Sequence, residues 1–119
     1  MDKPEEAEIR AWRDRIDALD LDLIRLLNER ARCAVEIGRI KRKLSLAVYD
    51  PKREEQIFRT VLEHNNGPLD VGGVRRLFER IIDESRRVER LAADRDGPEG
   101  VRAGPPGKLG GVSGSGNDE

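Results

Sequence analysis

Arg30 and Lys41 are the side chains from which a chemical reading of this 119-residue chain starts. Arg30 occupies a position in a helical stripe otherwise held by Ile, Leu, Trp and Cys. A cation there is costly unless it is paired or binds an anion. Taken alone it reads equally well as half of an ion pair with a glutamate of a later helix. Lys41 lies 11 residues on, a net rotation of about 20° and a rise of ~16 Å on an α-helix. The two side chains therefore leave one face, and together they suit a small dianion gripped between them. Arg13 stands 17 residues before Arg30, ~25 Å away and turned by about 260°, out of reach within one chain. In an antiparallel pair of chains the same residue reaches the partner's pocket. Asp50-Pro51-Lys52-Arg53-Glu54 adds the Arg53 cation and two carboxylates, of which Asp50 also reads as a helix cap and Glu54 as a favourable charge at a helix start. Ser85 interrupts a further apolar stripe, and Glu89 lies one turn beyond it on the same side.

The elements that must position these groups are helical. Ile9, Trp12, Ile16, Leu19, Leu23, Leu26, Arg30, Cys33, Ile37, Ile40 and Leu44 follow an unbroken 3-4 spacing, with no proline between Pro4 and Pro51. The spacing predicts one helix from about Glu6 to Leu44, almost 60 Å long at ~1.5 Å per residue. A 90-residue domain has a radius of gyration of only ~12 Å, so such a helix must pack on another subunit. Asp50-Pro51 opens a second helix with the buried stripe Ile57, Phe58, Val61 and Leu62, ending at His64-Asn65-Asn66-Gly67-Pro68. Asp70 caps a third, whose apolar face runs Val74, Leu77, Phe78, Ile81, Ile82, Ser85, Val88 and Ala92. No stretch alternates with period two, so strands are not expected. The expected fold is all-α, three helices per chain with one very long N-terminal helix.

Composition narrows the function classes. The chain carries 23 Lys and Arg against 24 Asp and Glu, which gives no global attraction to nucleic acid or to an acidic membrane. One cysteine precludes an internal disulfide and one histidine disfavours the common zinc sites. No metal site or cofactor is expected. No apolar run approaches the ~20 residues of a membrane span, and MDKPEEAEIR lacks the apolar core of a signal peptide, so a cytoplasmic location is expected. From Gly97 onward lie eight of the twelve glycines, in a segment too polar to offset its ordering entropy. The expected division is a helical domain over 1–95 and a disordered tail over 96–119.

These residues resemble the all-helical, AroQ-type chorismate mutases over about residues 6–92. The resemblance is carried by Trp12-Arg13-Asp14-Arg15-Ile16-Asp17-Ala18-Leu19-Asp20, Leu26-Leu27-Asn28-Glu29-Arg30 and Glu36-Ile37-Gly38-Arg39-Ile40-Lys41. Tyr49-Asp50-Pro51-Lys52-Arg53-Glu54 and Leu77-Phe78-Glu79-Arg80-Ile81-Ile82 follow in family order. It implies an intertwined homodimer with two shared sites, and a rearrangement of chorismate to prephenate on the route to phenylalanine and tyrosine. That pericyclic shift needs no nucleophile, metal or redox cofactor. By the resemblance, Arg13 of one subunit and Arg30 of the other clamp the substrate carboxylates. Lys41 donates to the ether oxygen, Glu54 holds the ring hydroxyl, Arg53 supplies supporting potential, and Asp50 and Ser85 contact substrate. Where many bacterial members place a glutamine that donates to the ether oxygen, this chain has Glu89. A carboxylate has no proton to give, so Glu89 serves only when protonated, which predicts a rate rising toward acidic pH.

Two other readings use the same features. Isochorismate-pyruvate lyases resemble the mutases in helices and cations, and the link Ser45 to Tyr49 would shape that choice. A non-catalytic helical dimerisation or regulatory module would use the same heptads without needing Arg30 and Lys41 on one face. An activating partner enzyme is not legible. Cys33 reads as a small core residue, Trp12 as core packing, His64 as a helix C-cap, and Arg86-Arg87-Val88-Glu89-Arg90 as mainly a solvated face.

Overall fold

Three helices account for the architecture, in the order α1 (Pro4–Lys43), α2 (Pro51–Glu63) and α3 (Val71–Asp96). The computed structural model describes residues 3–97. Of the expected tail, residues 98–119 lie outside the described residues. No strand occurs among those described.

Each helix end has a local cause. Pro4 opens α1, where a missing N–H costs nothing, and Glu5 and Glu6 sit at the positive end of its dipole. Lys41, Arg42 and Lys43 complement the other end. The stop is a Schellman turn: Leu46 N donates to Lys41 O at 2.7 Å and Ser45 N to Arg42 O at 3.1 Å. Ser45 takes the left-handed φ of 58° that this turn requires and that glycine adopts at less cost. Asp50 caps α2, its Oδ1 accepting from Arg53 N at 3.1 Å, with Pro51 in the first turn. Asp70 caps α3 by accepting from Gly73 N at 2.7 Å. His64 is the C-cap of α2, as expected, and its Nδ1 lies 2.8 Å from Thr60 O.

The chain divides into two units, Met1–Arg30 and Ala31–Glu119. The first is the leading stretch of α1. All its side chains from Lys3 to Glu29 are exposed, including Ile9, Ile16, Leu19, Leu23 and Leu26. Trp12, expected in a core, is 64% exposed in the single chain. An apolar stripe of that length left in water is what the period predicted for a helix without its partner.

The second unit holds the last turns of α1 together with α2 and α3. Ala34, Val35, Ile57, Val74, Ile82 and Ala92 are its buried apolar residues. On α1 the buried face is Ala34, Val35, Gly38 and Lys41, not the expected Cys33, Ile37, Ile40 and Leu44. Cys33 is exposed, which corrects its reading as a core residue, and Leu77 on α3 is exposed too. The small residues Ala34 and Gly38 allow close approach, and that sets the intrachain face one position away from the larger apolar stripe. A bidentate pair fastens α1 to the end of α3. Arg39 Nε and Nη2 lie 2.7 and 3.4 Å from the two oxygens of the largely buried Asp96. The hydrogen bond to Asp96, aided by Glu36, raises the Arg39 pKa against the opposing effect of burial. A raised guanidinium stays charged throughout the neutral range, so this fastening contributes no pH dependence there.

Candidate active site

Three polar side chains are buried in the second unit: Lys41 at 3% exposure, Ser85 at 4% and Glu89 at 5%. The apolar core around them is small, so this much buried polarity is expensive unless it is used. Each comes from the helix turn that sequence reasoning assigned to a site. Lys41 leaves the buried face of α1, and its Nζ lies 3.7 Å from Asp50 Oδ2. Asp50 thus does two things at once. One oxygen caps α2 and the other faces a buried ammonium group. Glu89 rests on α1 at Gly38, where an added Cβ would stand 3.4 Å from its Oε1 and 3.6 Å from its Cγ. Those are ordinary van der Waals separations, so the carboxyl packs closely on this face of α1. Ser85 lies one turn before Glu89 on the same face of α3.

Beside these groups is a cavity of about 250 Å³, bordered by Asp50, Glu54 and Glu89 with Arg42, Arg86 and Arg90. Val48, Tyr49 and Ala93 complete its wall. Three arginines and three acidic residues thus border it, one of them the Asp50 that pairs with Lys41. Most of the surface the cavity presents is nevertheless apolar, with the charged groups at its border. That suits a small molecule combining apolar surface with a few charged or hydroxyl groups. Glu54 is paired across helices with Arg86, and the Arg86 guanidinium carbon lies 5.4 Å from the Tyr49 ring centre.

Of the eight residues expected at a site, the structure brings Lys41, Asp50, Glu54, Ser85 and Glu89 into this one region of the second unit. Arg53 is in the same helix start, but its Nη1 donates to Gln56 Oε1 at 2.8 Å along α2. Arg13 and Arg30 belong to the first unit, Arg13 exposed and Arg30 half-buried. The run 86–90 is only partly a solvated face: Arg87 and Arg90 are exposed, but Glu89 is buried and Arg86 and Val88 are half-buried. Sequence reasoning therefore missed Arg86, and with it Arg90 and Ala93. The signal was present as the helical spacing 86, 89, 90, 93, but arginine at two of those positions masked the inward face.

The family described as chorismate mutase type II matches residues 12–90. A bifunctional chorismate mutase/prephenate dehydratase of Stutzerimonas stutzeri is 40% identical over 103 residues, covering 82% of this chain and 28% of that protein. Its counterpart in Neisseria gonorrhoeae is 43% identical over 90 residues, covering 75% of this chain and 24% of the relative. The chain thus spans under a third of the length of these curated relatives. Among solved structures, chorismate mutase (form II) from Thermus thermophilus superposes with a TM-score of 0.68 at 38% identity, covering 70% of this chain and 94% of that one. With matched helices and matched sequence over most of its length, the chain belongs to the type II, AroQ-class chorismate mutase family.

Proposed function

We propose that this chain is a chorismate mutase that rearranges chorismate to prephenate, as a homodimer. The observation that carries the reading is Lys41, buried against Asp50 within a region that also buries Glu89 and holds Glu54 at a cavity wall. The reaction breaks one C–O bond and forms one C–C bond within a single molecule, with no net proton or electron change. The protein's task is therefore to hold a flexible dicarboxylate in its compact conformer and to stabilise charge as the ether bond opens.

Each residue has a role in this reading. Arg30 and the partner-donated Arg13 take the two carboxylates. Lys41 donates to the ether oxygen from one side and protonated Glu89 from the other. Glu54 accepts from the ring hydroxyl, Asp50 orients Lys41 and contacts the substrate, and Ser85 adds a hydrogen bond. Arg53 contributes positive potential from the start of α2. Removing one preorganised donor to a developing oxyanion typically costs a factor of about 10² to 10³ in rate, so Lys41 is the residue on which turnover depends most. The exposed stripe Ile9–Trp12–Ile16–Leu19–Leu23–Leu26 supports the dimer, since a second copy would cover it and bring Arg13 to the site. No helix among the described residues is long and apolar enough to cross a membrane, and a cytoplasmic enzyme fits that.

The test is conversion of purified chorismate, followed by its ultraviolet absorbance with the product identified by chromatographic retention against authentic prephenate and by acid conversion. Prephenate formation supports the proposal. Inertness toward chorismate combined with release of pyruvate from isochorismate would replace it with the lyase, and inertness toward both would leave a non-catalytic module.

A further inference from the structure

We infer that Arg86 is a positioning residue of this active site, acting through the carboxylate of Glu54. The inference rests on the chorismate mutase reading above and names a residue that reading does not use. Arg86 is held from three directions. It pairs with Glu54 across helices, its Nη1 donates to Asp83 Oδ1 at 3.0 Å, and its guanidinium carbon lies 5.4 Å from the Tyr49 ring centre. Both ends of the Arg86–Glu54 pair border the cavity, and so does Tyr49. The Glu54 side chain is 18% exposed, which makes its charge partly desolvated.

The physical consequence concerns orientation and charge. A glutamate that accepts from a substrate hydroxyl works best with one oxygen fixed and the other presented. Arg86 engages Oε2, so Oε1 is the oxygen presented to the ring hydroxyl. A dianionic substrate also meets the Asp50 and Glu54 carboxylates at the cavity wall, and like charges a few ångströms apart repel. The Arg86 guanidinium offsets Glu54 at that point. Its stacking over Tyr49 further ties the α1–α2 link to α3, so the wall that contacts the substrate ring is fixed from the same atom group. Arg86 touches no reacting atom in this scheme. It acts on binding through Glu54.

The experiment is a kinetic double-mutant cycle with chorismate on the full chain, using wild type, Arg86→Ala, Glu54→Gln and the double variant, with Arg86→Lys as the conservative replacement. Losing a charge-assisted hydrogen bond predicts a KM raised about tenfold or more in Arg86→Ala, with kcat changed less than about threefold. Arg86→Lys recovers most of the loss. In the Glu54→Gln background, Arg86→Ala adds less than about twofold, because the residue it positions is already altered. A merely structural arginine would not show that dependence on Glu54 at a temperature where circular dichroism shows every variant folded. If Arg86→Ala does not fold, Arg86→Gln takes its place with the same expectations. A KM unchanged in Arg86→Ala, or the same tenfold penalty in both backgrounds, overturns the inference while the mutase reading stands. A wild-type chain inert toward chorismate overturns both.

Discussion

Replacing Asp50 separates two contributions made by one carboxylate. Its Oδ1 accepts from Arg53 N at 3.1 Å and caps α2, while its Oδ2 lies 3.7 Å from Lys41 Nζ. Loss of an N-cap costs about 1 kcal/mol. The bare attraction of unit charges at that separation is about 4 kcal/mol at an effective dielectric near 20. Burial and partial solvent access offset roughly half, since the Lys41 and Asp50 side chains are 4% and 19% exposed. Asp50→Ala is therefore expected to destabilise by about 3 kcal/mol, the sum of the cap and about 2 kcal/mol for the stranded ammonium. Asp50→Asn keeps an equally good cap and loses only the charge, so its cost is about 2 kcal/mol. Lys41→Met removes the buried cation, and in that background Asp50→Asn should cost less than about 0.5 kcal/mol. The assay is urea unfolding by circular dichroism at one fixed protein concentration, because dimer stability depends on concentration. An Asp50→Asn cost that is equal with and without Lys41 would refute the ion pair as the cause.

Two further outcomes are expected. If Glu89 donates to the ether oxygen only when protonated, kcat falls as pH rises through its titration, and Glu89→Gln flattens that limb while preserving activity near neutrality. A pH–rate profile checks this between about pH 4.5 and 8, and an unchanged profile in Glu89→Gln counts against it. Ser45 holds a φ of 58° at the end of α1, so Ser45→Gly should stabilise the chain by about 0.5–1 kcal/mol in the same unfolding assay, whereas Ser45→Val should destabilise it.

Helix ends were the most legible part of the fold, because caps are local chemistry. Asp50-Pro51 and Asp70 announce α2 and α3 within a few residues, and both side chains make the bonds expected of them. Ser45 gave no such notice, since neither glycine nor asparagine marks the left-handed position it fills. Lys41 stood out by its spacing to Arg30, which depends only on helix geometry, and the structure buries it beside Asp50. The phase of the buried face on α1 was not. The larger residues Cys33, Ile37 and Leu44 dominate the periodicity, while the intrachain contact uses Ala34 and Gly38 for their smallness. Arg86 escaped notice for a different reason. Its meaning comes from Glu54, 32 residues away, and a tertiary pair leaves no mark on either segment alone.

The central claim is the proposal that catalysis occurs beside Lys41 of one subunit, completed by Arg13 of the other. Mixing an inactive Arg13→Ala chain with an inactive Lys41→Ala chain, after unfolding and joint refolding, tests it most directly. Half of the sites in each mixed dimer then combine an intact Lys41 with an intact Arg13. Statistical assortment predicts recovery of about a quarter of wild-type chorismate mutase activity from two inactive parents. Activity no greater than that of the parents, or single variants as active as wild type, would contradict the shared site.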